Sequence, residues 1–435
     1  MPSSLTLDTI AAQSEALRAR LSGVRRAFAM MPELSGEEAQ TAQTVAAHLR
    51  DLGLRVTEGV GGYGVVGLLE GGKPGPIVAY RADMDALPIP DALETPYRSL
   101  ALGIKHACGH DAHMTIALGA AEVLAGLRAD LCGTVKFIFQ PAEESLDGAQ
   151  AMLADGVLDD PTPEAIFALH VFTLPVGVVG VAEDLALAGM DEFRVRFYSP
   201  AGDLAGLIAR AAAALEALSV AREPEDAAGF AELVDAMQAN DALRQTVFLS
   251  CWPLPANPLR HHLLGLVSIP DPALRSNVQD AIRVTLTAVT DEVGGTYDLA
   301  YTFYNPPTRN DAKLVHLIKP WLAEVVEESH VLTFRAPYPF AHEDFALYQE
   351  RIPGVFIWLG IANPEQGIPG VLHRPDFDID EEALVIGTRL AATLLAQWSE
   401  SITYPTPAPD TATPPPDDAS ESSPSPLNPQ SSVTL

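Results

Sequence analysis

At 435 residues, 48% of them hydrophobic and with a formal net charge of -30, the chain exceeds what one ordinary core fills, and two domains are expected. So negative a balance argues against nucleic acid and anionic membrane surfaces as partners, because both would repel it; solubility alone accounts for such a surface. Three cysteines, Cys108, Cys132 and Cys251, make no disulfide framework and fit a reducing compartment, and no apolar run reaches the roughly 18 residues that span a bilayer.

The N-terminus lacks a basic stretch followed by an apolar core, so no secretion signal is read there and a cytoplasmic location is expected. Residues 7–52 have helical spacing, interrupted near "PELSGEE", where Ser35 followed by Glu37 and Glu38 predicts a helix start. Short β-rich runs follow: "YGVVGLLEG", "PIVAYRADMD", "GTVKFIFQP" and "AIFALHVF". Between the second and third of these lies the alanine-rich helical stretch "DAHMTIALGAAEVLAGLRA". Strands alternating with helices predict a mostly parallel α/β sheet.

From about residue 188 the pattern changes to four strand-like runs, "DEFRVRFYS", "RQTVFLSCW", "LLGLVSIP" and "TYDLAYTFY", with two helical ones between them. That describes a small α+β domain. After "NPPTRND" the α/β character resumes, so the small domain reads as inserted in the large one. The expected division is 1–187 and 306–400 for the large domain, 188–305 for the insert, and 401–435 for a tail rich in proline and serine. The tail has no apolar periodicity and is expected to be disordered.

The reactive residues fall at strand exits, where open α/β sheets gather their sites. Asp83 and Asp85 follow "IVAYR", Glu143 and Glu144 follow "VKFIFQ", and His170 ends "IFALH". Residues 106–113, "HACGHDAH", crowd three histidines, a cysteine and an aspartate into eight positions. Without C-x-x-C or H-E-x-x-H spacing this is no zinc finger or zincin. By itself the stretch reads equally as a metal site or as a helix start with buried polar residues. The adjacent glutamates of "QPAEES" favour metal, since one can face an ion and the other a water. His170 is otherwise a poor choice inside a strand, the alternative being a satisfied core histidine. His373 lies in a Gly/Pro-rich loop suited to a ligand. Mixed nitrogen, oxygen and sulfur donors suit zinc, cobalt, nickel or manganese better than magnesium or calcium.

Seven stretches in this order are similar to one family: "RR…PELS" at 25–35, "RADMDALPI" at 81–89, "GIKHACGHDAHM" at 103–114, "QPAEE" at 140–144, "LH" at 169–170, "HEDFALY" at 342–348 and "VLHRPDFDID" at 371–380. The chain resembles the dinuclear metallohydrolases that cleave N-acyl amino acids, the group of hippurate hydrolase, aminoacylase and auxin-conjugate hydrolases. The resemblance implies a large zinc-peptidase-like catalytic domain with a mostly parallel mixed sheet and a smaller inserted α+β lid, through which such enzymes often form homodimers. It implies two divalent metal ions (Zn, Mn, Co or Ni) held by Cys108, His110, Glu144, His170 and His373. Glu143 matches the general base, which takes a proton from a metal-bridging water and passes one to the departing amine. Asp83 and Asp85 are expected to orient ligands, and His106 and His113 to frame them. The implied substrate is a small N-acyl amino acid or related conjugate.

The insert departs from that pattern. The family's glycine-rich segment, whose first histidine stabilises the tetrahedral intermediate, has no counterpart in "DEFRVRFYSPAGDLAGLIARAAAALEAL". Ser268 stands near the usual arginine, Asn257 is the surviving residue of a degraded stretch, and Ala29 and Met31 occupy histidine positions of relatives. His342 replaces a usual small residue, as a substrate contact or a turn cap. Three accounts follow: an active enzyme with His261 or His262 as substitute donor, an active enzyme without that donor, or a metal- and ligand-binding relative with little turnover. For His261 and His262 themselves, a polar pair on an exposed loop or strand is the simpler reading.

Overall fold

The computed structural model describes residues 5–199, 202–224, 226–254 and 262–401. Residues 402–435 of the tail expected to be disordered, Asn257 and His261 lie outside the described residues, while residue 401, expected in the tail, ends the helix Glu382–Ser401. Twelve strands are described: β1 (Arg55–Val60), β2 (Gly64–Glu70), β3 (Lys73–Asp83), β4 (Cys132–Gln140), β5 (Ala165–Pro175), β6 (Val179–Ala182), β7 (Gly189–Tyr198), β8 (Phe248–Pro253), β9 (Leu263–Ile269), β10 (Thr296–Asn305), β11 (Val331–Phe334) and β12 (Gly354–Ala362). They form an eight-stranded sheet in the order β1-β2-β4-β3-β5-β12-β6-β11 and a four-stranded sheet in the order β10-β7-β9-β8.

In the large sheet the central strands β4, β3, β5 and β12 run parallel, while β1-β2, β2-β4 and β12-β6 pair antiparallel. Successive side chains of a strand point to opposite faces, and both faces of these central strands are apolar. Tyr80, Phe137, Phe167 and Ile357 join one core with helices Leu7–Ala16, Arg18–Met30, His110–Gly126, Ala312–Val326 and Glu382–Ser401. Ala79, Ile138, Ile166 and Trp358 join a second core on the other face. Burial on both faces is why these strands read as near-continuous hydrophobic runs rather than alternating ones.

The small sheet is antiparallel throughout. Its residues Phe193, Val195 and Phe197 pack with helices Leu204–Glu216 and Arg275–Asp291 in a third core. A further helix, Ala227–Ala239, lies in the insert beyond the two expected there, although its apolar residues recur at i, i+3, i+4 and i+7. It sends Phe230, Leu233, Val234 and Met237 into the second core of the large sheet, away from its own sheet. The expected helix start at Ser35 is displaced. The helix begins at Ala39, and the Ser35 hydroxyl instead donates to Asp85 Oδ2 at 2.7 Å, a buried acceptor that outcompetes a local cap. No helix among the described residues is long and apolar enough to cross a membrane.

Candidate metal centre

The site forms at the carboxyl end of the parallel strands. Gly109, between Cys108 and His110, is the residue before helix His110–Gly126 and has φ +87°. A Cβ there would fall 2.3 Å from Val171 Cγ2, so only glycine lets the cysteine and histidine approach β5 this closely. Across the site, Ala142 takes φ +54° in the loop after β4. Its N–H donates to Glu38 Oε1 at 2.8 Å, and the Glu144 N–H donates to Asp85 Oδ2 at 2.9 Å. Two buried carboxylates therefore pin the loop on either side of Glu143. His373 also has positive φ, +58°, and its N–H donates to the Ala107 carbonyl at 2.8 Å.

These constraints bring the six sequence-predicted residues together. His170 Nε2 and His373 Nε2 lie 3.4 and 3.2 Å from Cys108 Sγ. His110 Nε2 is 3.7 Å from Glu144 Oε1 and 3.9 Å from Glu143 Oε2. Cys108, Glu144 and His373 form one group whose donor atoms lie within 4.8 Å of one another, and His110, Glu143 and Glu144 form another, with Glu144 common to both.

The donor set fits cations. His110 Nε2 and Glu144 Oε1 are buried without a hydrogen-bond partner in the protein, an arrangement that costs free energy unless something else satisfies them. The second ring nitrogen is engaged in two of these histidines: His110 Nδ1 lies 3.2 Å from Asp85 Oδ1, and His170 Nδ1 lies 2.7 Å from the Val171 carbonyl. Such outer contacts fix ring orientation at metal sites. His113 joins Asp83, His110 and His170 in a further close group, yet both its nitrogens are taken. Nε2 accepts from the Val171 N–H at 2.9 Å, so Nδ1 carries the proton and donates to Asp83 Oδ1 at 2.6 Å. His113 thus frames the site. His106 is buried and belongs to none of these groups.

The protein's own groups shift the titration of the site. Burial, then the nearby Glu144 and Glu143, push the Cys108 thiol well above its usual range. Burial, Glu343 and Glu144 do the same to Glu143. Burial raises Glu144 to about 7 against the opposing effect of His110. Burial works against a charged His110, but Asp83 and Asp85 outweigh it and push the ring up to about 10. Burial drives His373 down to about 4 and lowers His170. A cluster this rich in acids, with two neutral imidazoles beside it, is suited to positive charge.

Sequence reasoning left the support beneath Glu143 unread. Arg81, buried at the end of β3, contacts Asp83 Oδ2 at 2.7 Å, Glu343 Oε1 at 2.9 Å, Asp344 Oδ1 at 3.0 Å and Gln140 Oε1 at 3.0 Å. Gln140 Nε2 and the Ala149 N–H also donate to Asp344. An arginine ending an otherwise apolar strand was the available signal.

A cavity of about 490 Å³ opens over Cys108, Glu143, Glu144, His170 and His373. Its opposite wall includes Met190, Glu192, Leu266 and Phe303 of the small sheet, with Phe230, Tyr338 and His342. His262 is not part of that lining. It is buried rather than exposed, and its Nδ1 accepts from the Phe197 N–H at 3.0 Å. Ser268 and His342 come together, with Oγ 2.5 Å from Nε2.

Residues 79–397 match the model of peptidase family M20/M25/M40. The chain is 35% identical over 394 residues to IAA-amino acid hydrolase ILR1-like 6 of Arabidopsis thaliana, covering 87% of this chain and 80% of that one. It is 32% identical over 400 residues to the N-acetylcysteine deacetylase of Bacillus subtilis, covering 89% and 99%. Among solved structures, the Bacillus subtilis YXEP protein, described as a dinuclear metal binding peptidase from the M20 family, superimposes with a TM-score of 0.68 at 29% identity, covering 89% of this chain and all of that one.

Proposed function

This chain belongs to peptidase family M20/M25/M40 and is a metal-dependent amidohydrolase, and we propose that it cleaves the amide bond of N-acyl amino acids or related amino-acid conjugates. The observation that carries this reading is the convergence of Cys108, Glu144, His170 and His373 on one cavity wall, with His110 buried against Glu144 and the carboxylate of Glu143 beside them. We assign those five residues as ligands of two divalent ions (Zn, Mn, Co or Ni) and Glu143 as the proton carrier. Relatives named for hydrolysing an indoleacetic acid (IAA) conjugate and deacetylating N-acetylcysteine support amino-acid conjugates as the substrate class. Residues 188–305 are read as the inserted lid that closes the cavity.

When bound, the two ions supply Lewis acidity that polarises the amide carbonyl and acidifies water. The protein does the rest. Glu143 is buried beside Glu144 and Glu343, and all three raise its proton affinity, so its carboxylate can accept a proton from the attacking water and hold it. That water's oxygen bonds to the acyl carbon, the C–N bond breaks, and the proton held on Glu143 goes to the departing nitrogen. Asp85 holds the His110 ring and the Glu144 backbone at once, which keeps both groups in place during the reaction. Arg81 pairs with Asp83, Glu343 and Asp344 behind Glu143 rather than with Glu143 itself.

The test is a panel of N-acyl amino acids offered to protein loaded in turn with each of the four metals. Release of the free amine that stops on chelation and returns with metal is expected. Protein that binds metal and turns over none of the panel overturns the reading in favour of a ligand-binding relative.

A further inference from the structure

The three ligand histidines are not held alike. The rings of His110 and His170 are fixed from behind, by Asp85 Oδ1 at 3.2 Å and by the Val171 carbonyl at 2.7 Å. His373 Nδ1 has no such partner among the described residues. Its backbone supplies the constraint instead, with φ +58° and an N–H that donates to the Ala107 carbonyl at 2.8 Å. Where the His373 ring stands therefore depends on where the loop of residues 371–380 is held.

Side chains tie that loop to the segments that carry the other ligands. Lys105 Nζ, three residues before Cys108, donates to the Pro375 carbonyl at 2.9 Å. The Tyr97 hydroxyl donates to Asp378 Oδ2 at 2.9 Å. Arg25, on helix Arg18–Met30, makes the wider span. Its Nη1 donates to Asp378 Oδ1 at 2.9 Å, and its Nε donates at 2.7 Å to Asp111 Oδ2, on the residue next to His110. One planar guanidinium thus joins two ligand-bearing segments and fixes their separation, which a lysine's single ammonium does not. The Arg25 and Asp111 side chains are 3% and 1% exposed, so water does not replace either partner, and breaking the pair is costly. Arg25 is not among the residues that line the cavity. Its effect reaches the site through the segments it joins.

We propose that Arg25 is a positioning residue for His373: by holding Asp111 and Asp378 together it sets the reach of that ring toward Cys108 and Glu144, and so governs affinity for one ion and not the other. The ion concerned is that of the Cys108, Glu144 and His373 group. This rests on the ligand assignment of the amidohydrolase reading. The selectivity follows from the difference between the rings. His110 and His170 keep their own outer contacts when the loop is loosened, whereas His373 has the loop alone.

The test is a calorimetric zinc titration of the metal-free protein, which should take up two ions in two steps. Arg25→Lys and Asp378→Asn should each weaken one step roughly 10- to 100-fold, the range for a lost outer contact at a metal site, and move the other by less than about threefold. His373→Ala identifies the affected step, and in that background Asp378→Asn should leave the remaining step unmoved, since the two substitutions act through one group. Tyr97→Phe removes a single hydroxyl from Asp378 and should weaken the same step by roughly three- to tenfold; it decides the matter if the buried substitutions do not fold. Equal weakening of both steps, no change in either, or a remaining step that Asp378→Asn weakens in the His373→Ala background would each overturn the proposal. Uptake of fewer than two ions by the unsubstituted protein would sink the ligand assignment and this proposal with it. Two ions without turnover of any conjugate would sink the hydrolase reading alone.

Discussion

The two walls of the cavity are built on different principles. On the metal wall, Cys108, His110, Glu144 and His170 are each anchored by a buried hydrogen bond, a constrained backbone or both. Behind them, Arg81 ties together carboxylates from widely separated segments. On the facing wall, Met190, Leu266, Phe303 and Phe230 supply apolar surface, and the polar groups are the Ser268–His342 pair with Glu192 and Glu223, both hydrogen-bonded to neighbours. The first arrangement holds charge and positions a proton; the second selects shape and polarity. Changes on the metal wall should therefore remove ions or stability, whereas changes on the facing wall should alter substrate choice and leave ion binding intact.

The largest separation is expected from Arg81→Met. Removing the one guanidinium that Asp83, Glu343 and Asp344 share leaves buried carboxylates uncompensated, which typically costs about 3–5 kcal/mol. Urea unfolding of the metal-free protein measures this. A loss under about 1 kcal/mol, the range typical of an exposed ion pair, would show that the network contributes little. Next in size, Asp85→Ala should weaken metal affinity roughly 10- to 100-fold, as loss of an outer hydrogen bond to a metal-binding histidine usually does. A metal titration of this variant beside His342→Ala sharpens the contrast: if the two variants lose affinity equally, the walls are not distinct.

The smallest effect is a pH dependence. His342 is held neutral in the fold with its pKa lowered to about 4, against about 6.5 in the unfolded chain. The unfolded state then binds more protons between those values, so the stability this residue contributes is present above about pH 6.5 and is lost as pH falls toward 4. His342→Gln should flatten the fall in stability over that window. An unchanged slope in thermal or urea unfolding would show that His342 does not contribute.

Much of this was legible in the sequence because its signals are local. Apolar runs gave away β2, β3, β4 and β5, which are buried on both faces. The scarce cysteine and histidines, placed at strand exits, marked the residues that the fold brings together. What stayed hidden depends on distant partners. Strands β6 and β11 have four residues each and are defined by parallel pairing to one another across a long stretch of chain, so no run advertises them. The buried face of helix Ala227–Ala239 was legible in its i, i+3, i+4, i+7 spacing, and what stayed hidden is that Phe230 packs on Phe172 and Tyr338 of another layer. Ser35 resembled a cap until Asp85 supplied a buried acceptor. Ser268 and His342 looked like two unrelated departures from a pattern, and their contact spans 74 positions.

The account's central claim is that Glu143 carries the proton while its neighbours hold the ions. Metal content and turnover measured together on the unsubstituted protein and on Glu143→Gln test it most directly. Two divalent ions per chain are expected in both proteins, with turnover of an N-acyl amino-acid conjugate reduced roughly 10²- to 10⁴-fold in the variant, the usual contribution of general acid–base catalysis. A Glu143→Gln protein that keeps most of its activity, or that loses its ions along with its activity, would contradict the division of labour described for this site.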